Sequence, residues 1–301
     1  MGGAVKASHR RFVGPSTMLL DPARLAVNSL RLLPRKRISR AVGRLARVRA
    51  PSVLLRYAMD VYQRAYNLDL SEADIPAQGF ASFDAFFTRG LKEGSRPIDP
   101  DRSAFLSPAD GRLEDQGRVA AGAILNVKGR SYTAAELLVD PNDAQDFAGG
   151  YFAVVYLSPR DYHRVHAPVD GVVEYVRHVP GTLFPVNRMG MTNIGKLFAR
   201  NERVVVYQRA PAGRVATVLV GAIGVGRISL SFDRDIVTND GVSAGTRTYT
   251  DAPPRLARGQ ELGVFHLGST VVMLSSEPLM MLRRAGERVR VGEAIARRVH
   301  A

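Results

Sequence analysis

From about residue 101 onward the chain is a succession of short β-branched runs cut by Gly and Pro. They are Tyr151–Leu157, Gly171–Val179, Val204–Tyr207, Val215–Val220, Gly224–Ser231 and Thr270–Leu274. Branched side chains suit a pleated, packed surface, and each Gly or Pro cluster ends a run. Helical periodicity in this part is confined to Thr133–Leu138 and Asn193–Ala199. The stretch from Gly286 to Ala296 reads as a tight hairpin returning into a sheet. Such a chain is expected to build an antiparallel sandwich or barrel-like β domain.

The first third reads differently. Arg37, Arg40, Arg44 and Arg47 share one arc of a helical wheel, and Ile38, Ala41, Val42, Leu45 and Val48 share another. Pro51 opens a second helix to Tyr66, with a polar stripe of Arg56, Asp60, Gln63 and Arg64 on an otherwise apolar surface. A short helical stretch at Ser82–Thr88 follows, with Ser82 as its cap. The expected class is α+β: N-terminal amphipathic helices over 1–100, then a predominantly antiparallel β sandwich or barrel-like catalytic domain over 101–301.

Charge is concentrated in that first third. Residues 1–50 hold twelve Lys or Arg against one acid, Asp21, so +11 of the net +14 sits in the first sixth of the chain. A basic arm binds something anionic, lipid head groups or nucleic acid. The arginine arc beside an apolar arc suits a helix lying in a membrane interface. The β region has no interleaving of basic and aromatic residues, which argues against nucleic acid. No run approaches eighteen apolar residues, so a spanning helix is not expected. Cysteine is absent, which excludes disulfides and thiolate metal sites.

Four segments carry residues fit for chemistry: Ser107-Pro-Ala-Asp110-Gly111, Ser158 to His166, Asn201-Glu-Arg-Val204 and Leu267-Gly268-Ser269-Thr270. Serine becomes a nucleophile when a base takes its proton, and a carboxylate can orient that base. His163 and His166 sit three apart, but no third ligand at standard spacing and no HExxH supports a metal. Asp110-Gly111 is also an ordinary turn pair. A Ser-His-Asp lipid hydrolase without self-cleavage would use the same residues. It calls for a Gly-x-Ser-x-Gly elbow, which Leu-Gly-Ser-Thr-Val does not match.

The Leu-Gly-Ser-Thr motif resembles the processing site of the phosphatidylserine decarboxylases. So, in the family's order, do Ser107–Gly111, Asp161-Tyr-His-Arg-Val-His166, Pro180-Gly-Thr-Leu-Phe-Pro-Val-Asn187 and Leu197–Val204. The likeness continues upstream through Phe86-Phe-Thr-Arg89 and Arg96-Pro-Ile-Asp99.

The resemblance implies a proenzyme that cuts itself between Gly268 and Ser269 into a β chain, 1–268, and an α chain, 269–301. Residue 269 becomes a covalent pyruvoyl group, the cofactor, which forms a Schiff base with phosphatidylserine and releases phosphatidylethanolamine. Asp110 and His166 are the implied orienter and base for Ser269. His163 is the implied acid toward the substrate, or the group that positions its carboxylate, and the two histidines can exchange roles. Phe184 and Asn187 are candidate walls of the head-group pocket. Implied partners are phosphatidylserine, an anionic membrane reached through Arg37, Arg40, Arg44 and Arg47, and the chain's own other fragment, with a higher oligomer left open. The implied place is peripheral, on the cytoplasmic side of the cell membrane.

Overall fold

The computed structural model describes residues 34–49, 51–127, 129–211, 213–224, 227–239, 244–266 and 269–299. Its centre is one large antiparallel sheet. Across the sheet the strands run Gly245–Thr248, Gly171–Val179, Arg203–Ala210, Gly213–Val220, Ser269–Ser275, Tyr151–Leu157, Gly111–Arg118 and Arg288–Val289, and Arg255–Leu256 adds to Gly171–Val179. The sheet is open: it does not close into a barrel among the described residues.

Both faces of this sheet are buried. On one face Phe152, Val154, Val205, Tyr207, Val218, Val272 and Leu274 meet Leu137, Leu197 and Phe198 of short helices. On the other, Ala153, Val155, Leu157, Val204, Val206, Val271 and Met273 meet Phe105, Val165, Leu262 and Ile295 of two small three-stranded sheets. Those sheets are Ile228–Leu230 with Glu261–Phe265 and Arg164–His166, and Leu279–Met281 with Ala294–Arg298 and Ala104–Leu106. Double burial explains why the central strands read as unbroken apolar runs rather than strict alternation.

Helices form at Ala134–Leu138, Pro141–Gln145, Arg188–Asn193 and Leu197–Arg200. The expected Asn193–Ala199 helix is therefore two helices, broken where Lys196 takes a left-handed φ of 54°. Pro141–Gln145 is a helix the sequence reading did not expect; its signal is Asp140, which accepts from Asn142 and Asp143, with Pro141 at the first turn. Buried Arg203 closes two of these helices, donating to the carbonyls of Glu136, Leu137, Ala199 and Asn201. The expected Gly286–Ala296 hairpin is corrected. Arg288–Val289 pairs with Gly111–Arg112, whereas Ala294–Arg298 pairs with the Ala104–Leu106 and Leu279–Met281 strands. The turn at Gly292 carries the chain from one sheet to another.

The N-terminal helices run Arg35–Arg47 and Ser52–Tyr66. Each buries a thin face: Ser39 and Ala46 on the first, Leu55 and Met59 on the second. Much of their remaining apolar surface is open, with Leu45 at 74% and Val53 at 72% exposure, joined by Val48, Leu54, Tyr57 and Val61. No helix among the described residues is long and apolar enough to cross a membrane. Phe83–Phe87 forms the third helix, and Ser82 accepts from Ala85 as its cap.

Candidate active site

Ser269 is the first residue of a strand whose Val271 and Met273 face the small-sheet side. Side chains alternate along a strand, so Ser269 faces that side too. It pairs with Leu157. The chain leaves Leu157 through Ser158–His163 and enters the Arg164–His166 strand, which pairs with Glu261–Phe265. Phe265 N donates to His163 O at 3.0 Å. The segments 158–163 and 266–268 are thus bracketed by the same two pairings, which draw His163 and Ser269 into one corner of the fold. Leu267 and Gly268, the expected acyl side of the cut, lie outside the described residues.

Both side chains in this corner are fully buried, and among the described residues Ser269 Oγ and His163 Nε2 each lack a hydrogen-bond partner. His163 Nδ1 lies 2.8 Å from Asp161 O. A carbonyl only accepts, so Nδ1 carries the proton and Nε2 presents a lone pair. The ring packs on Phe87, with centroids 4.1 Å apart. Burial pushes the imidazole down from 6.5 to about 3, only partly offset by its bond to Asp161 O.

This depression has a consequence for stability. Below about pH 6.5 the unfolded chain takes up a proton that folded His163 excludes, until the folded value near 3 is reached. Stability is fully present above that window and should fall by about 1.4 kcal/mol per pH unit within it. His166, also depressed chiefly by burial, acts in the same direction. Urea unfolding at about pH 7 and about pH 5 measures the slope, and His163→Gln is expected to reduce it. An unchanged slope would contradict a neutral, buried His163.

His166 is engaged at both nitrogens. Nδ1–H donates to Gly259 O at 2.7 Å, and Nε2 lies 3.2 Å from the Tyr162 hydroxyl. Its backbone N donates to Pro108 O at 2.7 Å, which fastens the Asp110 turn to the His166 strand. Ser107 Oγ closes that turn on Ala109 O at 2.7 Å. Gly111 is required there, since a Cβ would stand 2.3 Å from Tyr156 O.

Asp110 is buried, unlike a plain surface turn residue. Arg96 Nε donates to both its oxygens, at 3.0 and 3.1 Å, and Val291 N donates at 2.9 Å. The crossing turn before Ala294 supplies that amide. Asp110 is therefore held by Arg96 and Val291 and meets His166 through its field, which favours the charged imidazole. A cavity of about 320 Å³ opens beside Asp110, walled by Arg89, Arg96, Arg160, Asp161, Tyr162 and Arg288 among others.

Phe184 and Asn187 are placed elsewhere. Phe184 belongs to the helix-covered core on the opposite face, its backbone N and O both bound by the Asn201 amide. Asn187 accepts from Gly190 N as a helix cap. Sequence reasoning quoted Arg96, Asp161, Tyr162 and Phe87 within the family segments but gave them no part in the site. The pairings of Arg96 with Asp110 and Phe87 with His163 cross between different elements, so no local spacing signals them, whereas Asp161 and Tyr162 meet their histidines within the same short segment.

A family model for phosphatidylserine decarboxylase matches residues 83–297, the greater part of the chain. The chain belongs to the phosphatidylserine decarboxylase family. It is 44% identical over 277 residues to a phosphatidylserine decarboxylase proenzyme of Anaeromyxobacter sp. (strain K), covering 90% of this chain and 98% of that one. It is 42% identical to the proenzyme so named of Azotobacter vinelandii, covering 90% and 97%, and 40% identical to that of Myxococcus xanthus, covering 81% and 87%. The match of phosphatidylserine decarboxylases takes in every site residue described above, from Asp110 to Ser269.

Proposed function

We propose that the chain decarboxylates phosphatidylserine to phosphatidylethanolamine, using a pyruvoyl group that it makes at position 269 by cutting itself after Gly268. The observation that carries this reading is the buried Ser269 hydroxyl, without a partner, in the corner that holds a neutral imidazole. A buried hydroxyl left unpaired is costly. Ser269 shares this state with Thr270, Thr217 and Tyr207, and what sets it apart is the open Nε2 of His163 in the same corner. The residues fit a group built there: Ser269 and His163 are closed to water, and burial keeps the His163 imidazole neutral.

The cut balances without any co-reactant but water. Ser269 Oγ bonds to the Gly268 carbonyl carbon, and the Gly268–Ser269 C–N bond breaks, its nitrogen taking the proton lost by Oγ. A base then removes the Cα proton of residue 269, and the Cβ–Oγ bond breaks. Residues 1–268 leave with a C-terminal carboxylate. The dehydroalanine left at 269 tautomerises and exchanges its nitrogen for the oxygen of water, releasing ammonia. The finished group supplies a ketone that condenses with a primary amine and accepts the electron pair left on carbon when CO₂ departs.

The resemblance assigns Asp110 and His166 to the cut and His163 to the substrate. On this reading Asp110, fixed by Arg96, favours the imidazolium that His166 becomes on taking the Ser269 proton. His163, with its open Nε2, hands a proton to or positions the substrate. One observation favours a second assignment: in the uncut chain the open lone pair is that of His163, while His166 Nε2 is engaged by Tyr162. On that assignment the histidines exchange duties. For Phe184 and Asn187 a head-group role rests on the resemblance alone.

We assign residues 1–100 to membrane association and 101–301 to catalysis, with the protein peripheral on the cytoplasmic leaflet and the mature form a pair of its own fragments. Arg37, Arg40, Arg44 and Arg47 are exposed, and the open apolar surface of the two first helices lies in the same part of the chain. The direct test is CO₂ release from phosphatidylserine vesicles, abolished by phenylhydrazine, which traps ketones. Turnover that survives the reagent would contradict the cofactor.

Each cation near an anionic surface is worth on the order of 1 kcal/mol. Changing the four arginines to Gln is therefore expected to weaken binding to anionic vesicles by on the order of a hundredfold or more at low salt, less at high salt. Co-sedimentation measures this. Unchanged binding would make these arginines structural.

A further inference from the structure

His266, two residues before the proposed cut, is gripped at four points, one of them the Arg227 guanidinium, whose Nη1 lies 3.3 and 3.4 Å from the two ring nitrogens. Its backbone N donates to Arg227 O at 3.0 Å. Its Nδ1 lies 2.8 and 3.0 Å from the two Asp84 oxygens, and its Nε2 lies 3.0 Å from Ser229 Oγ. Both side chains of the His266–Asp84 pair are largely buried. Asp84 stands in the Phe83–Phe87 helix, whose Phe87 packs on His163. Ser229 stands on a strand that pairs with the one leading to His266. One short helix therefore touches the imidazole beside Ser269 and also the chain entering the cut.

The attack requires the Gly268 carbonyl carbon to be held roughly 3–3.5 Å from Ser269 Oγ in a fixed direction. On the downstream side the Ser269–Ser275 strand, paired on both edges, fixes Ser269. On the upstream side the strand ends at Phe265. The last described anchor before the cut is His266. We propose that Asp84 and His266 are positioning residues for self-cleavage: their hydrogen bond fixes the acyl side of the Gly268–Ser269 bond against Ser269. Neither touches the reacting atoms. The inference rests on the self-cleavage reading above.

The test follows cleavage of the full-length chain after pulse-labelled synthesis, with melting temperatures measured on the same variants in an uncleavable Ser269→Ala background. Asp84→Asn and His266→Leu are expected to slow appearance of the α chain by on the order of ten- to a hundredfold, at a temperature well below melting. His266→Asn, whose amide can still donate to Asp84, is expected to recover most of the rate. A contact that only stabilised the fold would lower the melting temperature and leave the rate unchanged. Cleavage of Asp84→Asn and His266→Leu at the wild-type rate overturns the proposal. So does a His266→Asn variant as slow as His266→Leu. If wild type itself stays uncut, the self-cleavage reading fails and this inference with it; if wild type cuts and the variants keep pace, the inference alone fails.

Discussion

Ser269→Ala is expected to remain a single chain of 32.8 kDa and to lose decarboxylase activity by at least about 10⁶-fold, the low end of what enzymes contribute. On the proposed route alanine cannot form the ester that opens the Gly268–Ser269 bond, so no ketone would be made. The substitution should not harm the fold. Ser269 Oγ is buried without a partner, so removing it deletes an unsatisfied polar atom and leaves the paired strand intact. The variant should therefore be as stable as the uncut wild type, or more so, because the desolvation cost of about 1–3 kcal/mol disappears. A denaturing gel, a melting curve and an assay on phosphatidylserine vesicles read all three. A cut Ser269→Ala chain, or one that turns over substrate normally, would contradict the assignment.

The second large effect separates the histidines. His166→Ala is expected to stay uncut, because on the first assignment proposed it removes the base for Ser269. His163→Ala is expected to cut but to lose turnover by about 10²–10⁴-fold, the usual worth of a positioned acid or base. The two variants thus differ on a gel while both are inactive. The reverse pattern, with His163→Ala uncut and His166→Ala cut, would transfer the processing role to His163, whose Nε2 is open in the uncut chain. Both substitutions empty space in a packed site, so melting curves must show that each variant is folded.

Parts of this molecule were legible in the sequence because local physics settles them. Tyr151–Leu157 was read with its full bounds because apolar or branched side chains fill it, and Gly171–Val179 because Gly171 and Pro180 mark its ends. The Ser82 cap was legible because a short hydroxyl before an aromatic run has one good use. The Gly286–Ala296 segment misled because its two strands are short and equally spaced for pairing with each other. Their actual partners, Gly111–Arg112 and Ala104–Leu106, are chosen by contacts from more than a hundred residues away.

The site shows the same division. Asp110, His163, His166 and Ser269 were named from motifs, and the fold brings His163 and Ser269 into one corner. What holds Asp110 was not legible, because Arg96 and the Val291 amide reach it only after three separate segments pack. The face occupied by Phe184 was also hidden. A motif names a segment, whereas sheet register and packing decide which side of the sheet it covers.

Intact-mass spectrometry of active protein is the most direct test of the account. Two chains are predicted, residues 1–268 and 269–301, the shorter lighter by one ammonia than its sequence requires and without a free amine. A single full-length mass from protein that turns over substrate, or a short chain beginning with an ordinary serine, would contradict it.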